Sequence, residues 1–155
     1  MKILIDADAT PVVIKDILFR AVERNKIQLI LVANQQMKFP KSQFISSIVV
    51  PAGPDEADDR IAEIVLPGDL VITADIPLAD RVVSRGAYAL NPRGEFYTVE
   101  NIKERLAMRD LMDELRSSGI NTGNQSAFSS RDRQAFANQL DRFLTKQMKS
   151  TDEGV

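Results

Sequence analysis

Between Met1 and Leu90 short apolar runs alternate with amphipathic helical segments, and this alternation restricts the fold more than any other feature of the chain. Lys2 to Ile5 is a short, mostly apolar run that suits a strand buried on both faces, and it stops at Asp6. Thr10-Pro11 reads as a helix cap followed by Pro at the first helical position, and Ile14, Ile17, Leu18, Ala21 and Val22 follow at helical spacing. Further strands are expected at Ile27 to Ala33, Ile48 to Val50, Leu70 to Thr73 and Ala87 to Leu90. Helices are expected at Glu56 to Leu66 and at Pro77 to Arg85, the second closed by Gly86. Strands that take turns with helices pair in parallel and are covered by their own crossovers. The expected fold is therefore α/β: three layers, with a mostly parallel sheet of about five strands and helices on both faces.

The remainder reads as extra C-terminal helices on the same sheet. Val99 to Arg116 has a helical pattern with a break near Ala107, and Ser117 to Phe128 is a Gly/Ser/Asn loop. A closing helix runs from Arg131, capped by Ser129 or Ser130, with Phe136, Leu140, Phe143 and Leu144 on one face. Residues 1–149 make a single domain in this reading, and 150–155 a flexible acidic tail.

The chain has 155 residues, enough to bury an ordinary core, and it has no His, Cys or Trp. Those absences remove Ser-His-Asp and Cys-His catalysis, haem ligation by His and Cys/His zinc sites. Any catalysis must run on carboxylates, Arg or Lys, hydroxyls or a bound ion. The start, Met1-Lys2-Ile3-Leu4-Ile5-Asp6, turns acidic too soon for a signal peptide, and no apolar run approaches membrane-spanning length. A soluble, cytoplasmic protein is expected.

The net charge of −2 hides local clustering: between Asp55 and Asp80 there are eight acids and one basic residue, Arg60. In an open parallel sheet ligands bind outside the carboxyl ends of the strands. Here those ends carry Asp6 and Asp8, Asn34, Asp75 and Asn91. Asp75 before Pro77, and Asp8, also suit helix caps. On the helix at Glu56 to Leu66, Asp58 lies at the edge of the apolar face and Asp59 nearly opposite. Asp58 also suits the first turn of a helix, where the dipole favours an acid. Asp69 begins its strand and so falls at the wrong end for the site.

If Asp6, Asp8, Asp58 and Asp75 converge, two such charges about 4 Å apart repel by roughly 4 kcal/mol at an effective dielectric near 20. Protonation, a basic partner or a divalent cation must offset that. Mg²⁺ or Mn²⁺ held among these four would suit carboxylate and water ligands and would activate a water while neutralising a phosphoryl oxygen. Substrate contacts are expected from Asn34, from Asn91 and Arg93 after the last strand, from Arg109, and from Arg131 and Arg133. The last two oppose the dipole of the helix they open. Tyr88, Phe96 and Tyr97 are candidates for base stacking.

The segments DADATP (6–11), LVANQ (31–35), GDLVITADIPLA (68–79), NPRGE (91–95), MRDLMDELRSSG (108–119) and SRDRQAF (130–136) together resemble the YaiI/YqxD family of bacterial proteins, across nearly the whole chain. That family is similar to PIN-like and NYN ribonuclease domains, whose strand-end acids hold Mg²⁺ or Mn²⁺ for RNA cleavage. The resemblance implies Asp6 as the first-strand acid, Asp58 in the helix before the fourth strand and Asp75 after that strand, with Asp8 as a further candidate. Thr10 stands where the family's motif usually has Cys, so no thiol is needed there. The expected function is metal-dependent RNA phosphodiester hydrolysis, with RNA as partner. A non-catalytic RNA- or partner-binding module is the first alternative. The second is a haloacid-dehalogenase-like phosphatase using Asp6, because Ile3 to Thr10 matches that superfamily's first motif. Against it, Thr73 and Asp75 share one strand end with no Lys between them.

Overall fold

The computed structural model describes residues 1–120 and 128–153, and its centre is a six-stranded sheet in the order β3-β2-β1-β4-β5-β6. The strands are β1 (Lys2–Asp6), β2 (Gln28–Ala33), β3 (Ile45–Val49), β4 (Leu70–Ile72), β5 (Tyr88–Leu90) and β6 (Phe96–Tyr97). The first five are parallel and β6 returns antiparallel on β5. Helices are α1 (Val12–Asn25), α2 (Glu56–Ile64), α3 (Ile76–Ser84), α4 (Val99–Ser117) and α5 (Ser130–Glu153). The three-layer α/β fold expected from the alternation is present.

Pleating sorts the side chains into two cores. Ile3 and Ile5 of β1 point to one face, where they meet Ile14 and Leu18 of α1 and Phe136 and Leu140 of α5. Leu4 points to the other, against Ile61 of α2, Leu78 and Val82 of α3 and Ile102 of α4. Each fully buried Leu, Ile or Phe contributes about 1.5–3 kcal/mol relative to an exposed one. Both sheet faces are thereby closed, which is why β1 and β4 show no polar alternation. Among the described residues, no helix is long and apolar enough to cross a membrane.

Several local expectations are corrected. Pro11, not Thr10, occupies the cap position of α1, and no side chain caps it. The Thr10 hydroxyl is already engaged, donating to the Asp6 carbonyl at 2.7 Å within the β1–α1 turn. β3 begins three residues earlier than its apolar run, because Ser46 and Ser47 lie on an edge strand that tolerates polar side chains. β6 was not expected at all. It is two residues long, below the length at which a strand pattern shows. α4 runs unbroken through Ala107, started by a capping box between Thr98 and Asn101. Ser129 is the cap of α5, accepting from the Asp132 N–H while the Asp132 carboxylate accepts from the Ser129 N–H. The Gly/Ser/Asn loop lies mostly outside the described residues, and α5 extends into the segment read as tail.

At the amino end of the sheet, Asp69 is buried and accepts from the backbone N–H groups of Lys2 and Leu66 and from the Lys2 ammonium. It is a clasp between β1 and β4, on the side away from the carboxyl ends.

Candidate active site

The strand order places a topological switch point between β1 and β4. From β1 the chain moves out through β2 to β3, then crosses back to β4 on the other side of β1. The two βα turns therefore diverge there and leave a crevice at the carboxyl ends. Asp6, the last residue of β1, and Asp75, at the start of α3 just beyond β4, flank that crevice. Asp58, in the first turn of α2, closes it from the second core's side.

A cleft of about 130 Å³ is lined by Asp6, Asp58 and Asp75, with Thr10, Thr73 and Pro92. It opens on one side into a depression bounded by Asp6, Asp8, Asn34, Asp55 and Asp58, and on the other into one bounded by Asp58, Asp59, Asp75, Arg81 and Arg109. Asp58 is common to all three.

Three of these carboxylates, on Asp6, Asp8 and Asp75, are held by backbone. Asp6 Oδ1 accepts from the N–H groups of Asp8 (3.1 Å) and Ala9 (3.3 Å). Asp8 Oδ2 accepts from the Asn34 N–H at 2.8 Å, tying the β1 turn to the end of β2. Asp75 Oδ1 accepts from the Leu78 N–H at 2.8 Å as the cap of α3, and the Asp75 N–H donates to Thr73 Oγ1. The capping reading of Asp75 and its place in the cleft are both correct, since one carboxylate oxygen suffices for the cap.

The charges act on one another. Burial pushes the Asp58 carboxyl up to about 6, and the Asp75 and Asp6 charges add to the effect. Asp6 is also raised, first by burial and then by Asp8 and Asp75, against the lowering effect of its two backbone donors. Among the described residues, no group of three or more carboxylates is arranged to hold a metal ion as it stands. The donor set is nonetheless all oxygen, with Asp6, Asp58 and Asp75 around an open cleft. That donor chemistry, carboxylates with room for waters rather than a closed cage, is the kind that suits Mg²⁺ or Mn²⁺.

Not every expected contact residue reaches the cleft. Asn91 is buried and its Oδ1 accepts from the Arg93 and Glu95 N–H groups, so it shapes the β5–β6 turn instead of meeting substrate. Arg93 is half-buried and paired with Asp132 of α5 at 2.9 Å, a structural tie. Arg109 does line the outer depression, although Asp110 and Asp113 share its charge. Asn34 lines the other depression. Arg131 is exposed in the first turn of α5, and Arg133 faces a groove between α1 and α5. Tyr97 is buried, Phe96 packs on Phe143, and Tyr88 meets Phe143 from the amino end of β5. None of these three lines the acidic cleft.

Two residues escaped the sequence reading. Asp55 lines both flanking depressions from a left-handed backbone conformation (φ 69°), its signal being only the Gly53-Pro54 turn before α2. Arg81 lines the outer depression and pairs with Asp59 at 2.8 Å.

Residues 4–146 match the family described as "Uncharacterized BCR, YaiI/YqxD family". The chain belongs to the YaiI/YqxD family. A UPF0178 protein of Hahella chejuensis is 62% identical over 150 residues, covering 97% of this chain and all of the relative. UPF0178 proteins of Alkalilimnicola ehrlichii (61%) and Dechloromonas aromatica (60%) each cover 94% of this chain and 98% and 97% of their own lengths. No solved structure matches the chain. The YaiI/YqxD match begins at Leu4 and so takes in Asp6, Asp58 and Asp75 together with every element from α1 to α4.

Proposed function

We propose that this YaiI/YqxD protein is a metal-dependent ribonuclease, PIN-like in its use of strand-end acids and acting in the cytoplasm. One observation carries the proposal: Asp6, Asp58 and Asp75 line a single cleft at the sheet's switch point, where burial and then the Asp75 charge raise the proton affinity of Asp6 and Asp58. Three acids held together without a basic partner in the central cleft favour a divalent cation. Mg²⁺ or Mn²⁺ would be held by Asp6, Asp58 and Asp75, and when bound it supplies an activated water and a positive charge for a phosphoryl oxygen.

The chain's own groups do the rest. Asp8, fixed by the Asn34 N–H, stands at the mouth of the cleft, where it orients water and accepts a proton. Arg109 and Arg81 present guanidinium groups on the α3–α4 side, suited to holding a phosphate beside the scissile one.

Labelled RNA of mixed structure, incubated with Mn²⁺ or Mg²⁺, tests the proposal. The parent is expected to cleave it, and Asp6→Asn/Asp75→Asn to lose cleavage while remaining folded and still binding RNA. RNA bound but never cut by the parent would overturn the nuclease reading in favour of a binding module. A phosphate ester trapped on Asp6 would instead favour the phosphatase.

A further inference from the structure

The two helical layers differ in charge and in what their arginines touch. Along Val12–Asn25 and residues 130–147, on the α1/α5 face, there are seven basic and four acidic residues; α2, α3 and α4 together carry six basic and ten acidic. Every arginine within α2, α3 and α4 has a carboxylate within ion-pair distance. On the opposite face, among the described residues, Arg20, Arg131, Arg133 and Arg142 have none, and Arg24 only meets Asp141 loosely at 3.9 Å. Among the described residues, arginines without a carboxylate partner are therefore concentrated on the α1/α5 side, with Arg85 at the end of α3 the exception on the other.

That side also has a groove. Two adjoining hollows of about 310 and 200 Å³ run between α1 and α5 and share Ile17, Arg20 and Ala137. The first is bounded by Val13 and Arg133, at the helix ends nearest the carboxyl edge of the sheet, and the second by Arg24 and Leu140 further down. Val13 to Arg24 spans about 16 Å of helix, room for a few nucleotides. Its lining mixes Ile17, Ala137 and Leu140 with Arg20, Arg24 and Arg133, and includes Asp16 and Asp141. Near its upper end, the Arg93–Asp132 pair joins α5 to the turn that holds Pro92 in the acidic cleft.

We infer that the α1/α5 groove is the binding track for single-stranded RNA leading to the acidic cleft. The inference rests on the ribonuclease reading for the identity of the polyanion. The cleft cannot hold a polyphosphate chain by itself, because Asp55, Asp58, Asp59 and Asp8 around it repel one. A track of arginines with few acidic partners, beginning at the same edge, supplies the missing attraction. The same demand accounts for Arg133, which lines the groove although it opposes the dipole of α5.

The test is anisotropy of a fluorescent single-stranded RNA in EDTA, where cleavage plays no part. The parent is titrated at several salt concentrations beside Arg20→Gln/Arg133→Gln and, as a control on the other layer, Arg60→Gln/Lys103→Gln. The groove variant is expected to bind at least tenfold more weakly, with its salt slope smaller by roughly 1.4, as for two lost phosphate contacts to a single strand. The control is expected to bind like the parent. Equal loss in both variants, unchanged binding in the groove variant, or no binding by the parent would each overturn the inference, as would displacement by poly-glutamate at lower concentration than by RNA. A parent that binds through the groove yet never cleaves RNA keeps this inference and sinks the nuclease; cleavage with binding indifferent to Arg20 and Arg133 does the reverse.

Discussion

Asp58 shows how a single residue registers the site. Its carboxyl titrates near 6, against about 3.8 when free, so the folded protein binds the proton more tightly than the unfolded chain. Stability from this group is full below about pH 4 and is lost as pH rises through 6. The whole shift is worth about 3 kcal/mol, and screening by the solvent that still reaches Asp58 reduces the expected effect to about 1 kcal/mol. Asp58→Asn should therefore raise the melting temperature of the metal-free protein at pH 7.5 and leave it nearly unchanged at pH 4, as thermal melts at the two pH values would show. Asp75 permits a second separation. Asn caps helices as well as Asp, whereas Ala does not, so Asp75→Asn should melt near the parent and Asp75→Ala about 1 kcal/mol lower, while both lose any activity. A parent-like melt for Asp75→Ala would mean the bond to Leu78 contributes nothing. Residue type and strand-end position picked out Asp6, Asp8 and Asp75, and the edge of the α2 apolar face picked out Asp58, as acids that line the cleft or its mouth. Residue type and position were not sufficient for Asn91 and Arg93, because an Asn that folds a turn and an Asn that meets a substrate look alike until their hydrogen bonds are known.

Among the elements, the β5–β6 turn and α5 hold the greatest leverage over the site. Gly94 has φ +88°, and a Cβ placed there would lie 2.6 Å from the Ala135 carbonyl carbon. The turn and the α5 backbone are in direct contact, with Arg93–Asp132 alongside. Gly94→Ala should cost about 2–4 kcal/mol from backbone strain and overpacking together, read as a denaturant midpoint, and should displace α5 from the turn that carries Pro92. A loss under 0.5 kcal/mol would show that the contact yields easily. The long elements were legible because α1 and α3 repeat their apolar residues at helical spacing and β1, β2 and β4 are nearly continuous apolar runs. β6 was not, since two residues carry no period, and the start of β3 was hidden by Ser46 and Ser47. The Thr10 cap failed for another reason: the hydroxyl had a competing acceptor, the Asp6 carbonyl, which only the closed β1–α1 turn brings near.

Across the whole molecule, strand order and charge give the two sides of the sheet different character. The switch between β1 and β4 gathers acids from two turns and from α2, and the two helical layers divide the remaining charge, α2, α3 and α4 carrying an acidic excess and α1 and α5 a basic one. The parallel sheet was legible in the sequence but the strand order was not, because apolar runs announce strands without saying which lie side by side. The segregation of arginines was invisible there for the same reason, since α1 and α5 are far apart in the chain and adjacent only in the fold. Everything rests on Asp6, Asp58 and Asp75 sharing one divalent ion, and calorimetric titration of Mn²⁺ at pH 7.5 into the parent and into Asp6→Asn/Asp75→Asn tests that directly. A shared site predicts saturable binding to the parent that disappears in the double variant. No binding by the parent, or equal binding by both proteins, would contradict it.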